Sequence, residues 1–220
     1  MELTIRSATQ EDFDDLLRVE IETWSEELVS ADAIRAQLVA FADGYFCAFA
    51  DGELAGSLGT ILVTHDIQQP IHPWGQMTAD ATFTTHDPNG NVMYGAALSV
   101  SGRFQGLGIG TQLLEHAKRF IVEHDLDGFV GGSRIPLYHQ HSEMPVEAYV
   151  DKRDDEGNRF DPELRFYERC LTLGEVHLYH FPTFMVQFGC NLKLAISTGL
   201  QGHRCWDEVQ RGLSQYTWTP

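Results

Sequence analysis

Three glycines at alternate positions, Gly106, Gly108 and Gly110, stand between an apolar run and an amphipathic one, and this constrains the chain more than any other feature. Residues 92–100 are apolar enough for a central strand. In residues 106–124, Ile109, Leu113, Leu114, Ala117, Phe120 and Ile121 recur at helical spacing. A strand therefore feeds a glycine-rich loop that opens directly into a helix. Glycines let backbone approach a ligand closely, and the free N–H groups and positive dipole at a helix start favour phosphate.

Three phosphate-binding plans use such a loop. The nucleoside-triphosphate loop ends in Gly-Lys-Ser/Thr, and no lysine lies here. The dinucleotide fingerprint needs a third glycine where Thr111 stands, within a chain-initial strand–helix–strand unit. The third plan is a cradle for the pyrophosphate of coenzyme A.

Charge narrows the partners. Fifteen Lys and Arg against 32 Asp and Glu give a net charge of −17, so a general nucleic-acid binder is not expected. The acidic field favours cationic small molecules or peptides, with solubility as the alternative reading. With 43% apolar and 21% charged residues, the 220-residue chain has the composition of a folded protein within reach of one large α/β domain. Cys47, Cys170, Cys190 and Cys205 form no close pair, so no zinc knuckle or redox motif is indicated. Residues 1–6 lack a signal-peptide pattern, and no apolar run approaches the ~18 residues that span a bilayer. A cytoplasmic protein without a membrane partner is the expectation.

Periodicity supplies the other elements. Residues 3–9 alternate like a strand, and Thr9-Gln10-Glu11-Asp12 begins a helix carrying Phe13, Leu16, Leu17, Ile21 and Trp24. A second helix starts near Ser30-Ala31-Asp32 and aligns Ile34, Leu38 and Phe41. Residues 45–50, the turn Asp51-Gly52 and residues 53–63 predict a β-hairpin. Residues 126–132 read as a buried strand, Asp161-Pro162 as the cap of a short helix, and 175–180 with 184–188 as a last hairpin. Residues 206–213 read as helical. Nothing marks a linker, so one domain over 1–220 is expected, with irregular insertions near 64–91 and 134–161.

Gln105-Gly106-Leu107-Gly108-Ile109-Gly110 matches the Q/R-x-x-G-x-G/A signature of the GCN5-related N-acetyltransferases, and Phe166-Tyr167-Glu168-Arg169-Cys170-Leu171 resembles that family's late FYE element. The order of elements over residues 3–190 is also similar. More narrowly, Thr85-His86-Asp87-Pro88-Asn89-Gly90-Asn91 and Gly132-Ser133-Arg134-Ile135-Pro136-Leu137-Tyr138 resemble the acetyltransferase domain fused to nitrilase-type amidohydrolases. The resemblance implies an α/β (α+β) fold. Its sheet is mixed, mostly antiparallel, with a splayed central strand and helices on both faces.

It further implies an acetyl-CoA-dependent N-acetyltransferase acting by direct attack of a small-molecule or peptide amine, and a homodimer by family habit, with the aromatic tail Tyr216-Thr217-Trp218 contributing. Leu98 to Val100 would line the pantetheine, and the Val100 N–H would bind the thioester carbonyl. Gln105, Gly106, Leu107, Gly108, Ile109, Gly110 and Thr111 would cradle the pyrophosphate. Arg103 is either a phosphate contact or a surface residue. Tyr167 aligns with the general acid that protonates the departing thiolate. Two positions depart from the pattern: Phe160 stands where the family often has Asn, and Glu163 where it has a small residue.

The general base is the gap. An alkylammonium is neutral in only about one molecule in 2,500 at pH 7. Many relatives carry a central-strand Glu, which residues 92–100 lack. The candidates are Asp80, His86, His139, His141 and Glu143, with His141 and Glu143 expected to carry the role; His86 also reads as a turn residue, and a water relay needs no base. His139-x-His141 with Glu143 and His177-x-x-His180 match no zinc pattern, so no metal is expected. A non-catalytic acyl-CoA-binding or partner-binding module is the alternative, and a nucleotide-binding α/β domain the third reading.

Overall fold

The computed structural model describes residues 1–25, 29–67, 69–171, 178–179 and 185–191. The strands are β1 (Leu3–Ser7), β2 (Tyr45–Ala50), β3 (Glu53–Val63), β4 (Val92–Val100), β5 (Gly128–Arg134), β6 (Leu178–Tyr179) and β7 (Met185–Asn191). The helices are α1 (Phe13–Trp24), α2 (Ala31–Phe41), α3 (Trp74–Thr78), α4 (Ile109–Glu123), α5 (Val146–Asp151) and α6 (Pro162–Cys170). One seven-stranded sheet runs β1-β2-β3-β4-β5-β7-β6. Only β4 and β5 are parallel. The parallel pair follows from α4, which carries the chain back along the sheet between them.

Local chemistry explains these boundaries. Asp51 and Gly52 take φ of 49° and 83°, the left-handed pair that a two-residue hairpin turn requires. Ser30 caps α2 by accepting from the Ala33 N–H, and Asp161 caps α6 by accepting from Glu163 and Leu164. On one face of the sheet, α1 and α2 bury Leu16, Val19, Ile34 and Leu38 against Tyr45, Ile61 and Tyr94. On the other, α4 packs Leu113, Ala117 and Ile121 against Phe46, Leu58, Met93 and Phe129.

The two irregular stretches have structure of their own. Residues 64–91 contain α3, and 134–161 contain a 3-10 turn (Tyr138–His141), α5 and an Arg153–Arg159 bridge. After α3, Ala79, Asp80, Ala81 and Phe83 all have positive φ, between 48° and 71°. Left-handed backbone costs a non-glycine residue roughly 1 kcal/mol or more. Burial of Phe83 against Tyr45, and the Gln37 side-chain amide donating to the Ala81 carbonyl at 2.7 Å, hold the turn.

The motif of residues 85–91 completes an edge. Pairing of β2 with β3 stops at Tyr45 and Gly59. Beyond it the Leu62 N–H donates to His86 Nδ1 at 3.1 Å, and its carbonyl accepts from the Asp87 N–H at 2.9 Å. Gly90 lies so close that a Cβ would stand 2.5 Å from the Val63 nitrogen. Asn91 braces the start of β4 by donating to Asp127 and to the His65 carbonyl. The helix expected over 206–213, the tail 216–218 and most of the first strand of the last hairpin lie outside the described residues.

Candidate active site

The site begins with a discontinuity in the sheet. Pairing of β4 with β5 ends at Gly95 and Gly131, whereas pairing with β3 continues to Val100. Gly59 faces Ala97 while Thr60 faces Gly95, so Ala96 is an inserted bulge residue. A bulge bends its strand and increases the local twist. Trp74 on α3 donates its indole N–H to the Ala96 carbonyl at 2.9 Å, which satisfies a group the bulge takes out of the ladder. Past Gly95, therefore, the β5 side of β4 faces a slot rather than a strand. This is the splayed central strand that the sequence resemblance implies.

The glycine loop stands at the end of that slot. Gly106 and Gly108 have φ of 76° and 81°, and a Cβ on either would meet nothing within 4 Å. Their glycines are required by backbone conformation, and the space before them is open. Gly108 opens α4 without any side-chain cap, and the first turn carries no acid. A 15-residue helix thus presents its unsatisfied N–H groups and positive dipole end to whatever enters. Gly110 serves packing instead, because a Cβ there would lie 3.2 Å from Phe166 Cζ on α6. Leu98 and Val100 pack against the α4-side core, Ile109 is buried, Leu107 is exposed, and the Thr111 hydroxyl lies 3.6 Å from Cys170 Sγ.

Two side chains, Gln105 and Glu22, set the loop. The Gln105 side-chain amide donates to the Val100 carbonyl at 3.1 Å. Glu22, from α1, accepts from the Gly102 N–H at 2.8 Å and from Ser101 Oγ at 3.0 Å, and these bonds hold its carboxyl below the usual range. Arg103 pairs with Glu53 and covers the Phe104 ring, so its charge is engaged locally.

Tyr167 lies on the inner face of α6 and packs against the same core cluster as Leu98 and Val100. Burial, reinforced by the Glu163 charge, pushes its phenol pKa well above the ordinary value. A phenol is protonated at neutral pH even at its ordinary value, as a proton donor must be, and the shift makes this one a weaker acid. One turn earlier on the same helix face is Glu163, bound by Arg134 Nη2 at 3.0 Å. Burial raises the Glu163 carboxyl against the opposing pull of Arg134. Arg134 also lies 4.2 Å over the Trp24 ring, and Trp24 donates its indole N–H to Ser99 Oγ at 2.8 Å. Trp24, Arg134 and Glu163 thus connect the β4 side of the slot to the β5 and α6 side.

The candidate proton acceptors make contacts of their own. His141 packs edge-on against Phe160 at 5.1 Å and lies 5.6 Å from Tyr149, with exposed Glu143 4.0 Å away. His139 Nδ1 lies 2.8 Å from the Pro136 carbonyl oxygen. The contacts of His139, His141 and Glu143 among the described residues stay within the 134–164 lobe. His86 stacks on Phe41 at 4.1 Å near the far end of α4, about 16 Å from the glycine loop by helix rise. Burial lowers its pKa. Asp80 sits in the left-handed turn after α3. Among the described residues, no three His, Cys, Asp or Glu side chains could hold a metal ion, and no helix is long and apolar enough to cross a membrane.

Trp24, Trp74, Glu22, Arg134 and Glu163 were not singled out as site residues by sequence reasoning. Two carried usable signals: Arg134 by its place in the 132–138 motif, and Glu163 by standing where the family has a small residue.

Comparison with known proteins decides the lineage. The profile of the "Acetyltransferase (GNAT) family" matches residues 6–141. The chain belongs to the GNAT acetyltransferase family. An uncharacterised N-acetyltransferase, YkwB of Bacillus subtilis, is 33% identical over 174 residues, 76% of each chain. A probable hydrolase of the same organism, YhcX, is 31% identical over 172 residues, and the match spans 74% of this chain but only 32% of that protein. The loading GNATL domain of CurA from Lyngbya majuscula shares the fold at a TM-score of 0.73, with 19% identity, over 88% of this chain and all of that one. Membership of that family and the N-acetyltransferase relative place the chain among the N-acetyltransferases.

Proposed function

We propose that the protein transfers an acetyl group from acetyl-CoA directly to the amine of a small molecule or peptide. The observation that carries this reading is the slot past Gly95, with the uncapped start of α4 at its end. A pantetheine arm lying along 98–100 would take the place of the missing strand, and the pyrophosphate would meet the N–H groups of 105–111. The Val100 N–H would donate to the thioester carbonyl, where negative charge builds as the amine attacks. The amine nitrogen bonds to the acyl carbon, the carbon–sulfur bond breaks, and Tyr167 gives its proton to the leaving thiolate. The amine's proton leaves to a carboxylate, to His141 with Glu143, or through water. A cytoplasmic location and a homodimer remain part of the reading.

Calorimetric titration with acetyl-CoA, with ATP and NAD as controls, tests the cosubstrate site. Binding of acetyl-CoA alone is expected. Gly108→Trp, which strains the φ of 81° and fills the open cradle, should weaken binding by about tenfold or more. Equal affinity in the variant removes the loop from the site. β4 carries no carboxylate, which favours a non-catalytic acyl-CoA-binding module as a second reading. Release of CoA with any amine in a broad panel excludes it.

A further inference from the structure

We infer that the acceptor amine also carries a carboxylate, which Arg134 receives at the mouth of the slot while Glu163 receives the ammonium group. This rests on the acetyl-transfer reading above and names the substrate class of that site. Position comes first. Arg134 is the last residue of β5, beyond the final β4–β5 pair at Gly131, and so lies alongside the open slot. Trp24 fixes it across that gap, since its ring lies under the guanidinium while its N–H holds Ser99 of β4. The cation is therefore next to the strand segment where the thioester would lie.

Its bonding is incomplete. A guanidinium has five donors in a planar fork suited to a carboxylate. Among the described residues, Arg134 has one acidic partner, Glu163, through Nη2, and its Nε–H is buried without an acceptor. A buried unpaired donor costs about 1–3 kcal/mol, so a purely structural arginine would be expected to satisfy it. With about 40% of the side chain exposed, part of the fork remains accessible from solvent. An incoming carboxylate would add a second anion to a cation already held flat against Trp24, a pre-organised arrangement that limits the entropy lost on binding.

Glu163 supplies the complementary charge. It is fixed by the Arg134 guanidinium and stands one helical turn from Tyr167, the proposed acid for the leaving thiolate. A zwitterionic acceptor would meet a cation and an anion in the orientation that matches its own two groups. In a chain of net charge −17, a lone carboxylate or a lone amine would be sorted by the overall field, whereas a zwitterion is recognised by this local pair.

The test is calorimetry on the full chain saturated with CoA. Glycine, β-alanine, γ-aminobutyrate and glutamate are titrated against the matching carboxamides, and propionate serves as the carboxylate without an amine. At least one amino acid should bind tenfold or more tightly than its amide. Arg134→Gln should erase that preference while acetyl-CoA affinity, which reports folding, stays within about twofold. Glu163→Gln should weaken the amino acid but not propionate, which the freed guanidinium should hold at least as well. No preference in the wild type, or a preference that survives Arg134→Gln, overturns the assignment. If Arg134→Gln instead weakens succinyl-CoA relative to acetyl-CoA and leaves acceptor selectivity intact, the carboxylate belongs to the acyl group, and the acceptor assignment is overturned. Selective binding of an amino acid without acetyl transfer would sustain this site and count against the catalytic reading.

Discussion

At the scale of single residues, burial moves Tyr167 and His86 in opposite directions. Burial raises the phenol pKa of Tyr167, the proposed donor to the thiolate. Tyr167→Phe retains the ring packing and removes the hydroxyl, so kcat should fall by about 10²-fold while acetyl-CoA affinity changes little. An unchanged kcat removes Tyr167 from the mechanism. At His86, burial lowers the imidazole pKa, and Nδ1 must stay unprotonated to accept from Leu62. Its folded pKa is depressed below the unfolded value of about 6.5. The unfolded chain therefore takes up the proton first as pH falls through 6.5, and stability is lost below that pH. His116, half-buried and likewise with a lowered pKa, adds to the same slope. Urea melts from pH 7.5 to 5 should show this loss, and His86→Gln should shrink the slope without abolishing it. An identical slope in the variant would show that His86 is not one of the titrating groups.

At the scale of elements, the site depends on how β4 is held from both sides. The bulge at Ala96 ends the pairing with β5, and α3 secures it through Trp74. Trp74→Phe removes one hydrogen bond from a half-buried carbonyl and should cost about 1 kcal/mol of stability. Because the bulge shapes the slot, kcat/KM for acetyl-CoA should fall by more than that stability loss alone would bring about. Steady-state kinetics beside a melt separate the two, and an unaffected kcat/KM would mean that the bulge persists without the indole. Glu22 plays the corresponding part for the loop, linking α1 to Ser101 and Gly102.

At the scale of the whole molecule, charge and cradle oppose one another. Acetyl-CoA is anionic and the chain carries −17, so the general field repels the cosubstrate while the N–H groups at the start of α4 attract it at close range. Screening weakens the long-range repulsion more than the short-range contacts. The association rate of acetyl-CoA should therefore rise severalfold between about 20 and 200 mM salt in stopped-flow measurements. A falling rate would place a positive steering surface near the loop.

Adjacent residues spell out the order of the long strands and of α1, α2, α4 and α6, the hairpin at Asp51-Gly52, the cap at Asp161 and the glycine loop, but not α3 or α5. Helical periodicity, positive-φ turns and capping are local, and their physics acts within one or two turns of chain. Contacts between distant segments make Ala96 a bulge, end the β4–β5 pairing at Gly131, and bring His86 to an edge of β3. Only the tertiary structure decided that Trp24, Arg134 and Glu163 meet, since they come from α1, β5 and α6. No spacing in the chain encodes that meeting. It arises when both faces of the sheet bury their apolar helices and leave a gap between two strands.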